Sequence, residues 1–184
     1  MTKRCFIAIN LPADIKEKIA GLTVELKKIN SNPGARFVKS DNIHLTLHFL
    51  DDLNESQINQ VDIILKDVVR GYSQTTLITE NIGGFPNLNF PRVVFIETRE
   101  ARSSLLNELQ KAIGQRLEDI GMTVDHRPWR PHLTLARITG RISFQAKNIS
   151  LPETEIPITS IELMESQLGP GGSKYKIIST YKLK

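Results

Sequence analysis

Residues 44–47 read His44-Leu45-Thr46-Leu47, and 88 residues later the same four letters return as His132-Leu133-Thr134-Leu135. The chain has 184 residues, so the second copy starts about half a chain after the first. Side chains of a strand alternate between its two faces. His44 and Thr46 therefore share one face, as do His132 and Thr134, while Leu45, Leu47, Leu133 and Leu135 point the other way, into apolar cores. Each copy projects one imidazole and one hydroxyl from a strand anchored behind by two leucines. The whole chain holds 4 histidines, so two of them in identical tetrapeptides argue against two ordinary amphipathic strands that share four letters by chance. Brought together, the strands make a site of two histidines and two threonines.

Composition bounds the rest. A chain of 184 residues, 40% hydrophobic and 24% charged, is an ordinary soluble globular protein of one domain or two small lobes sharing a core. No apolar run approaches the ~18 residues that suggest a membrane span. The opening Met1-Thr2-Lys3-Arg4 leads into a strand-like run too short for a signal peptide. The one cysteine, Cys5, has no internal partner and suits a reducing cytoplasm; its expected role is a small apolar residue of the first strand. The net charge of +4 and pI near 9.2 are compatible with an anionic substrate such as RNA, and a slightly lysine-rich surface explains them equally well.

In order, residues 4–11 read as a buried strand and Pro12 suits the first turn of a helix. Ile15, Ile19, Leu22, Leu26 and Ile29 form one apolar stripe, stopped by Asn30-Ser31-Asn32-Pro33-Gly34. Arg36-Phe37-Val38 is a short strand, and Asp41-Asn42 turns the chain into the first motif strand, which runs on through His48-Phe49-Leu50. Asn54 with Gln57 is a capping box ahead of a second helix striped by Ile58, Val61, Leu65 and Val68. Thr75 to Glu80 is a strand that Gly83-Gly84-Phe85-Pro86 breaks, and 93–97 is another. A third helix begins near Ala101, carries Leu105, Leu109, Ala112, Ile113, Leu117 and Ile120, and is capped by Gly121. His126 to Pro131 is an irregular approach to the second motif strand. Two further strands, Thr159–Met164 and Tyr175–Leu183, flank Gly169-Pro170-Gly171-Gly172, which lacks the lysine and helix of a phosphate loop and reads as a turn. This order is α+β. Short connections favour antiparallel pairing, and the doubled motif suggests two similar lobes facing one another across a cleft. No linker divides the chain, so residues 1–184 are expected to form a single domain of two pseudo-symmetric lobes, one motif in each.

Imidazole titrates nearest neutrality, so two facing one substrate serve as base and acid in one turnover. Neighbouring hydroxyls donate to anionic oxygens. A phosphodiester needs this combination: a nucleophile deprotonated, a leaving oxygen protonated and the charge between them stabilised. A strained ribose 2′,3′-cyclic phosphate fits such a site without a metal. Histidines also bind metals, but there is no His-Glu-x-x-His and no cysteine pair, and hydroxyls are poor zinc ligands. Acid–base use ranks above metal binding, and no metal or cofactor is expected.

The two stretches Asn42-Ile43-His44-Leu45-Thr46-Leu47-His48-Phe49-Leu50 and Arg130-Pro131-His132-Leu133-Thr134-Leu135-Ala136-Arg137 resemble the paired motifs of the 2H phosphoesterase superfamily. Within it, the chain looks like the bacterial and archaeal RNA 2′,3′-cyclic phosphodiesterases, historically called 2′-5′ RNA ligases. The opening Arg4-Cys5-Phe6-Ile7-Ala8-Ile9, the Gly84-Phe85 turn before the 93–97 strand, and the length match as well. The resemblance implies a bilobal α+β fold, two antiparallel-sheet lobes with outer helices around a central cleft. It implies hydrolysis of a terminal 2′,3′-cyclic phosphate to a 2′-phosphomonoester, and in some members ATP-independent joining of 2′-5′ linkages in tRNA halves. Carried over by position, His44 would be the proton donor to the leaving 3′ oxygen and His132 the proton acceptor that activates water, with Thr46 and Thr134 on phosphate oxygens. From the residues alone the two copies are equivalent.

Arg130, two residues before His132, shares its face if the strand starts that early, and would clamp phosphate. His48 has the parity of His44 and Thr46, which places it on the cleft face, with a structural role as the alternative. Arg137 has the opposite parity and reaches the cleft only through a bulge or bend. Trp129 and Phe49 are possible base-stacking rings, core packing being the expectation for Phe49, and Tyr175 is a weaker substrate contact. The expected protein is a cytoplasmic monomer acting on RNA with a 2′,3′-cyclic phosphate terminus, of the tRNA-half kind. The alternatives are another 2H activity, on 2′-5′ oligonucleotides or ADP-ribose cyclic phosphate, and a non-catalytic nucleotide-binding module.

Overall fold

The two motif strands lie side by side at the centre of one antiparallel sheet, of nine strands among the described residues. The structure, a computed structural model, describes residues 1–101, 104–146, 149–169 and 172–184. Its elements are β1 (Lys3–Asn10), α1 (Ala13–Ile29), β2 (Ala35–Phe37), β3 (His44–Leu53), α2 (Glu55–Val68), β4 (Thr75–Phe85), β5 (Val93–Glu100), α3 (Leu105–Asp119), β6 (His132–Ile138), β7 (Glu155–Ile158), β8 (Ser160–Gly169) and β9 (Gly172–Lys182). The strand order is β7-β4-β5-β6-β3-β1-β8-β9, with β2 paired to β6 beyond the start of β3. The sheet curls, and the expected bilobal α+β architecture is observed. Counted inward to the seam, β7-β4-β5-β6 and β9-β8-β1-β3 are the same arrangement, each inner pair joined through a helix.

The helices pack on one face of the sheet. Ile15, Ile19, Leu22 and Leu26 of α1, Ile58, Val61 and Leu65 of α2, and Leu106, Leu109, Ile113 and Leu117 of α3 join one core with Ile7, Leu45, Leu47, Ile96, Leu133 and Leu135 of the strands. The Asn54–Gln57 capping box is formed, with both reciprocal bonds at 3.0 Å. Ile29 is exposed, because α1 ends there and its stripe runs out from under the sheet. The third helix starts at Leu105 rather than near Ala101; residues 102 and 103 are outside the described residues. Gly121, at φ 80°, turns the chain out of it as expected. Cys5 is buried in β1, and burial pushes its thiol up to about 11, so it acts as a small apolar residue. Among the described residues no helix is long and apolar enough to cross a membrane.

Two strand readings differ. The glycines at 83 and 84 do not break β4, which runs on to Phe85. A Cβ on Gly83 would lie 2.6 Å from the Phe95 ring, so glycine is where this strand lets a cross-strand aromatic fold over it. The short strand β7 carries Pro157 and pairs only with β4, at the sheet's edge where a missing donor costs no ladder bond. In the turn read at 169–172, Gly169 and Gly172 close the β8–β9 hairpin, while Pro170 and Gly171 lie outside the described residues.

The seam between the halves is narrow. β3 and β6 share one registered pair, Leu45 with Leu133, and both side chains are fully buried. Truncating either leucine removes core contacts on both sides of the seam. Leu45→Ala and Leu133→Ala are each expected to cost about 2–5 kcal/mol of stability, measured by chemical denaturation; a cost under ~1 kcal/mol for both would show that the seam does not hold the halves together.

Candidate active site

The Leu45–Leu133 pair points into the core, so the flanking positions His44, Thr46, His132 and Thr134 point to the opposite face. In antiparallel register the neighbours of that pair set His44 beside Thr134 and Thr46 beside His132. All four side chains are half-buried. The two imidazoles are held alike: His44 Nδ1 lies 2.7 Å from the Asn42 carbonyl, and His132 Nδ1 lies 2.7 Å from the Arg130 carbonyl. A carbonyl only accepts, so each Nδ1 carries a proton and each neutral ring leaves Nε2 as its basic nitrogen. Nε2 of His44 is 3.0 Å from the Thr46 hydroxyl, which donates to it in the neutral state.

Aromatic rings shape the pockets of both histidines. His44 packs against Phe6 at 5.0 Å and meets the edge of Tyr175 at 5.1 Å. His132 packs against Phe95 at 5.1 Å and Phe85 at 5.6 Å, and these two rings stack on each other at 4.3 Å. Tyr175, the weaker candidate for a substrate contact, thus lies against the His44 ring. A cavity of about 240 Å³ beside His44 is walled by Phe6, Phe49, Arg137, Ser173 and Tyr175.

Two β-bulges decide what else reaches the cleft. Ala8 of β1 pairs with Thr46 but Ile7 pairs with His48, so Leu47 is the extra residue. On β6, Phe95 pairs with Thr134 but Val94 pairs with Ala136, so Leu135 is extra. Each bulge reverses the alternation beyond it. The burial patterns of His44–Leu50 and His132–Ile138 are accordingly identical. Arg137 therefore does reach the cleft, through the bulge its parity required. Phe49, expected in the core, is 64% exposed and lines the cavity. His48, placed on the cleft face by parity, is instead buried on the core face, where Nε2–H donates to the Gln110 carbonyl of α3 at 2.7 Å. The signal was present in the spacing: Leu45, Leu47, Leu50 and Leu133, Leu135, Ile138 step by two and then by three.

Burial is the main cause that holds His44 below the ordinary imidazole value; the Asn42 carbonyl opposes it, and Lys16, Arg137 and His132 add to the lowering. Lys16 reaches this region from α1, bonding Asn10 Oδ1 at 2.7 Å and the Asp41 carbonyl at 3.0 Å. Among the described residues no group of three or more His, Cys, Asp or Glu is placed to hold a metal ion.

A family model described as LigT-like phosphoesterase matches the chain twice, over residues 9–95 and 96–175, one motif in each match. The chain belongs to the LigT-like phosphoesterase family. It is 24% identical, over the full length of both chains, to a protein of Methanothermobacter thermautotrophicus named RNA 2′,3′-cyclic phosphodiesterase. A protein of the same name from Methanocaldococcus jannaschii is 29% identical over 97% of this chain and 99% of its own. Among solved structures, one titled as a phosphoesterase superposes at a TM-score of 0.80 with 25% identity, covering 100% of this chain and 99% of that one. Escherichia coli LigT, solved with 3′-AMP, superposes at 0.77 with 24% identity over 100% of this chain and 99% of its own, a likeness of fold.

In this LigT-like phosphoesterase, β6 begins at His132, so Arg130 sits just ahead of the strand with its side chain exposed and its carbonyl on the His132 ring. Trp129 donates Nε1–H to the Thr46 carbonyl at 3.0 Å and packs against the core, tying the approach of one motif to the strand of the other. Asn42, through Nδ2, donates to the Ser173 carbonyl at 2.6 Å and so ties the β8–β9 hairpin to the turn that holds His44. Sequence reasoning did not find Phe95 or the Phe85 contact with His132; only the fold over Gly83 brings those rings there.

His48 offers a test. Burial, the largest cause, holds it below its ordinary value of about 6.5, so the unfolded chain binds the proton more readily. Its neutral burial contributes full stability above pH ~6.5, and that contribution falls as pH drops from there through the lower folded value. His48→Ala is expected to cost roughly 2–3 kcal/mol at pH 7.5 and to reduce the acid-side loss. Denaturation at pH 7.5 and 5.5 measures both; an unchanged difference between the two pH values would remove His48 from the account.

Proposed function

We propose that this protein is an RNA 2′,3′-cyclic phosphodiesterase that uses His132 as proton acceptor and His44 as proton donor. The observation that carries the reading is the matched pair of Nδ1–carbonyl bonds, which aims two imidazoles from adjacent strands at one cleft with Nε2 available on each. Nε2 of neutral His132 takes a proton from water as the water oxygen attacks phosphorus. The P–O3′ bond breaks, and Nε2–H of the His44 imidazolium delivers its proton to O3′, leaving a 2′-phosphomonoester. The Asn42 carbonyl favours that imidazolium, since Nδ1–H donates to it in both charge states. The hydroxyls of Thr46 and Thr134 and the guanidinium groups of Arg130 and Arg137 hold the phosphate oxygens as charge builds on them. A 5′-hydroxyl in place of the water gives a 2′-5′ linkage by the same two proton transfers, which is the ATP-independent ligation.

The names of the curated relatives support this substrate class. The finer parts of the reading are that the enzyme works as a cytoplasmic monomer on tRNA-half-like ends without a metal, and that residues 1–184 form one domain of two pseudo-symmetric lobes, each with one His-x-Thr-x motif.

A short RNA with a 2′,3′-cyclic terminus, incubated in excess chelator, tests it. Wild type is expected to release a 2′-phosphate, and His44→Ala and His132→Ala to lose about 10²–10⁴-fold in rate while still binding RNA. A 3′-phosphate product, or loss of activity in chelator, would overturn the mechanism.

The lowered His44 value sets the pH dependence. The donor must be protonated, so in the free enzyme kcat/KM falls as pH rises through a value below the ordinary ~6.5. The bound phosphate's negative charge favours the imidazolium, so the basic limb of kcat is expected at higher pH than that of kcat/KM. Paired pH profiles check this; basic limbs that coincide would assign the donor elsewhere.

A further inference from the structure

β2 pairs with β6 so that Arg36 stands directly opposite Arg137. Directly opposed residues of an antiparallel ladder project to the same face, so Arg36 sets a second guanidinium beside Arg137, on the flank of β6 that β3 also occupies. The same row continues through Val93 to Phe85, the ring against His132. Like charges placed opposite one another destabilise a ladder, and among the described residues neither arginine has an acidic partner. An anion lying between them offsets that repulsion.

A second feature lies past the end of β6. The 138–141 segment and the 86–92 loop, which leaves β4 directly after Phe85, line an open pocket of about 640 Å³. Arg92 and Arg141 line it, and Arg141 lies over the ring of Phe90 at 5.0 Å, with Phe90 still 44% exposed. Neither arginine is in an ion pair among the described residues. An exposed ring flanked by guanidinium groups is the arrangement that stacks an unpaired base and holds its phosphate.

We infer that the Arg36–Arg137 pair and the Phe90–Arg141 cavity form a track for the RNA strand on the 5′ side of the cyclic phosphate. This rests on the phosphodiesterase reading above. A terminal cyclic phosphate has polymer on one side only, so cationic groups leading away from the site meet upstream nucleotides. Arg36, next to the Arg137 guanidinium that meets the cyclic phosphate, holds the next backbone phosphate, and Phe90 with Arg141 takes a base beyond it. The enzyme is then selective for oligonucleotide ends over free nucleoside cyclic phosphates, through sequence-independent contacts.

Steady-state kinetics on a pentanucleotide ending in a 2′,3′-cyclic phosphate, beside adenosine 2′,3′-cyclic phosphate, tests the track. Wild type is expected to show a KM at least ten-fold lower for the pentanucleotide. Arg36→Ala and Arg141→Ala are expected to raise that KM about five- to ten-fold with kcat retained, and to move the mononucleotide KM less than two-fold. The salt slope of the pentanucleotide's log KM is expected to drop by about 0.7 for each arginine removed. Arg36→Lys, which keeps the charge, is expected to restore part of the preference. Equal KM values for both substrates in wild type, or variants that move both substrates alike, would overturn the track and leave the phosphodiesterase reading standing. Turnover of neither substrate by folded wild type would overturn that reading and the track with it.

Discussion

Everything functional in this fold depends on the pairing of Leu45 with Leu133. It is the one registered pair across the seam between β3 and β6, and both side chains are sealed in the core. Because each leucine is the second residue of its motif, this single register sets the two motifs side by side in opposite directions. A slip by one residue would turn the motif residues of one strand into the core and its leucines into the cleft. The apolar cost of that exchange is what protects the geometry of the polar site.

The seam determines which residues meet, and the bulges at Leu47 and Leu135 determine which follow them into the cleft. Without the extra residue, His48 and Ala136 would face the cleft, and Phe49 and Arg137 would be packed beneath the helices. With it, one half offers an exposed ring and the other an exposed guanidinium at equivalent positions. The backbone device is duplicated while the side chains it delivers differ, so matching strands present unlike side chains to the cleft.

The same contrast governs the histidines. Both donate Nδ1–H to the carbonyl two residues earlier, which makes them the same tautomer. Among the described residues a hydroxyl lies on Nε2 of His44 and none on Nε2 of His132, and burial with Lys16 and Arg137 nearby holds His44 below the ordinary imidazole value. The repeated motif leaves the two histidines equivalent, and the surroundings of the two copies differ.

The sequence by itself determined the α+β class, the three helical stripes, the Asn54–Gln57 cap and the Gly121 turn, the buried role of Cys5, and the face shared by His44, Thr46, His132 and Thr134. These follow from local periodicity and chemistry that each segment carries alone. Tertiary structure decided that the motif strands are neighbours, since their pairing joins residues 88 apart in the chain and leaves no local trace. It also decided the fate of His48, Phe49 and Arg137, because a bulge is defined against a partner strand, and strict alternation carried past it assigns the residues just beyond to the wrong face. Phe95 and Phe85 came to His132 by the same kind of event: the Phe95 ring folds over Gly83, whose missing side chain is legible in sequence only as a breaker and becomes room for a ring once β4 and β5 are paired.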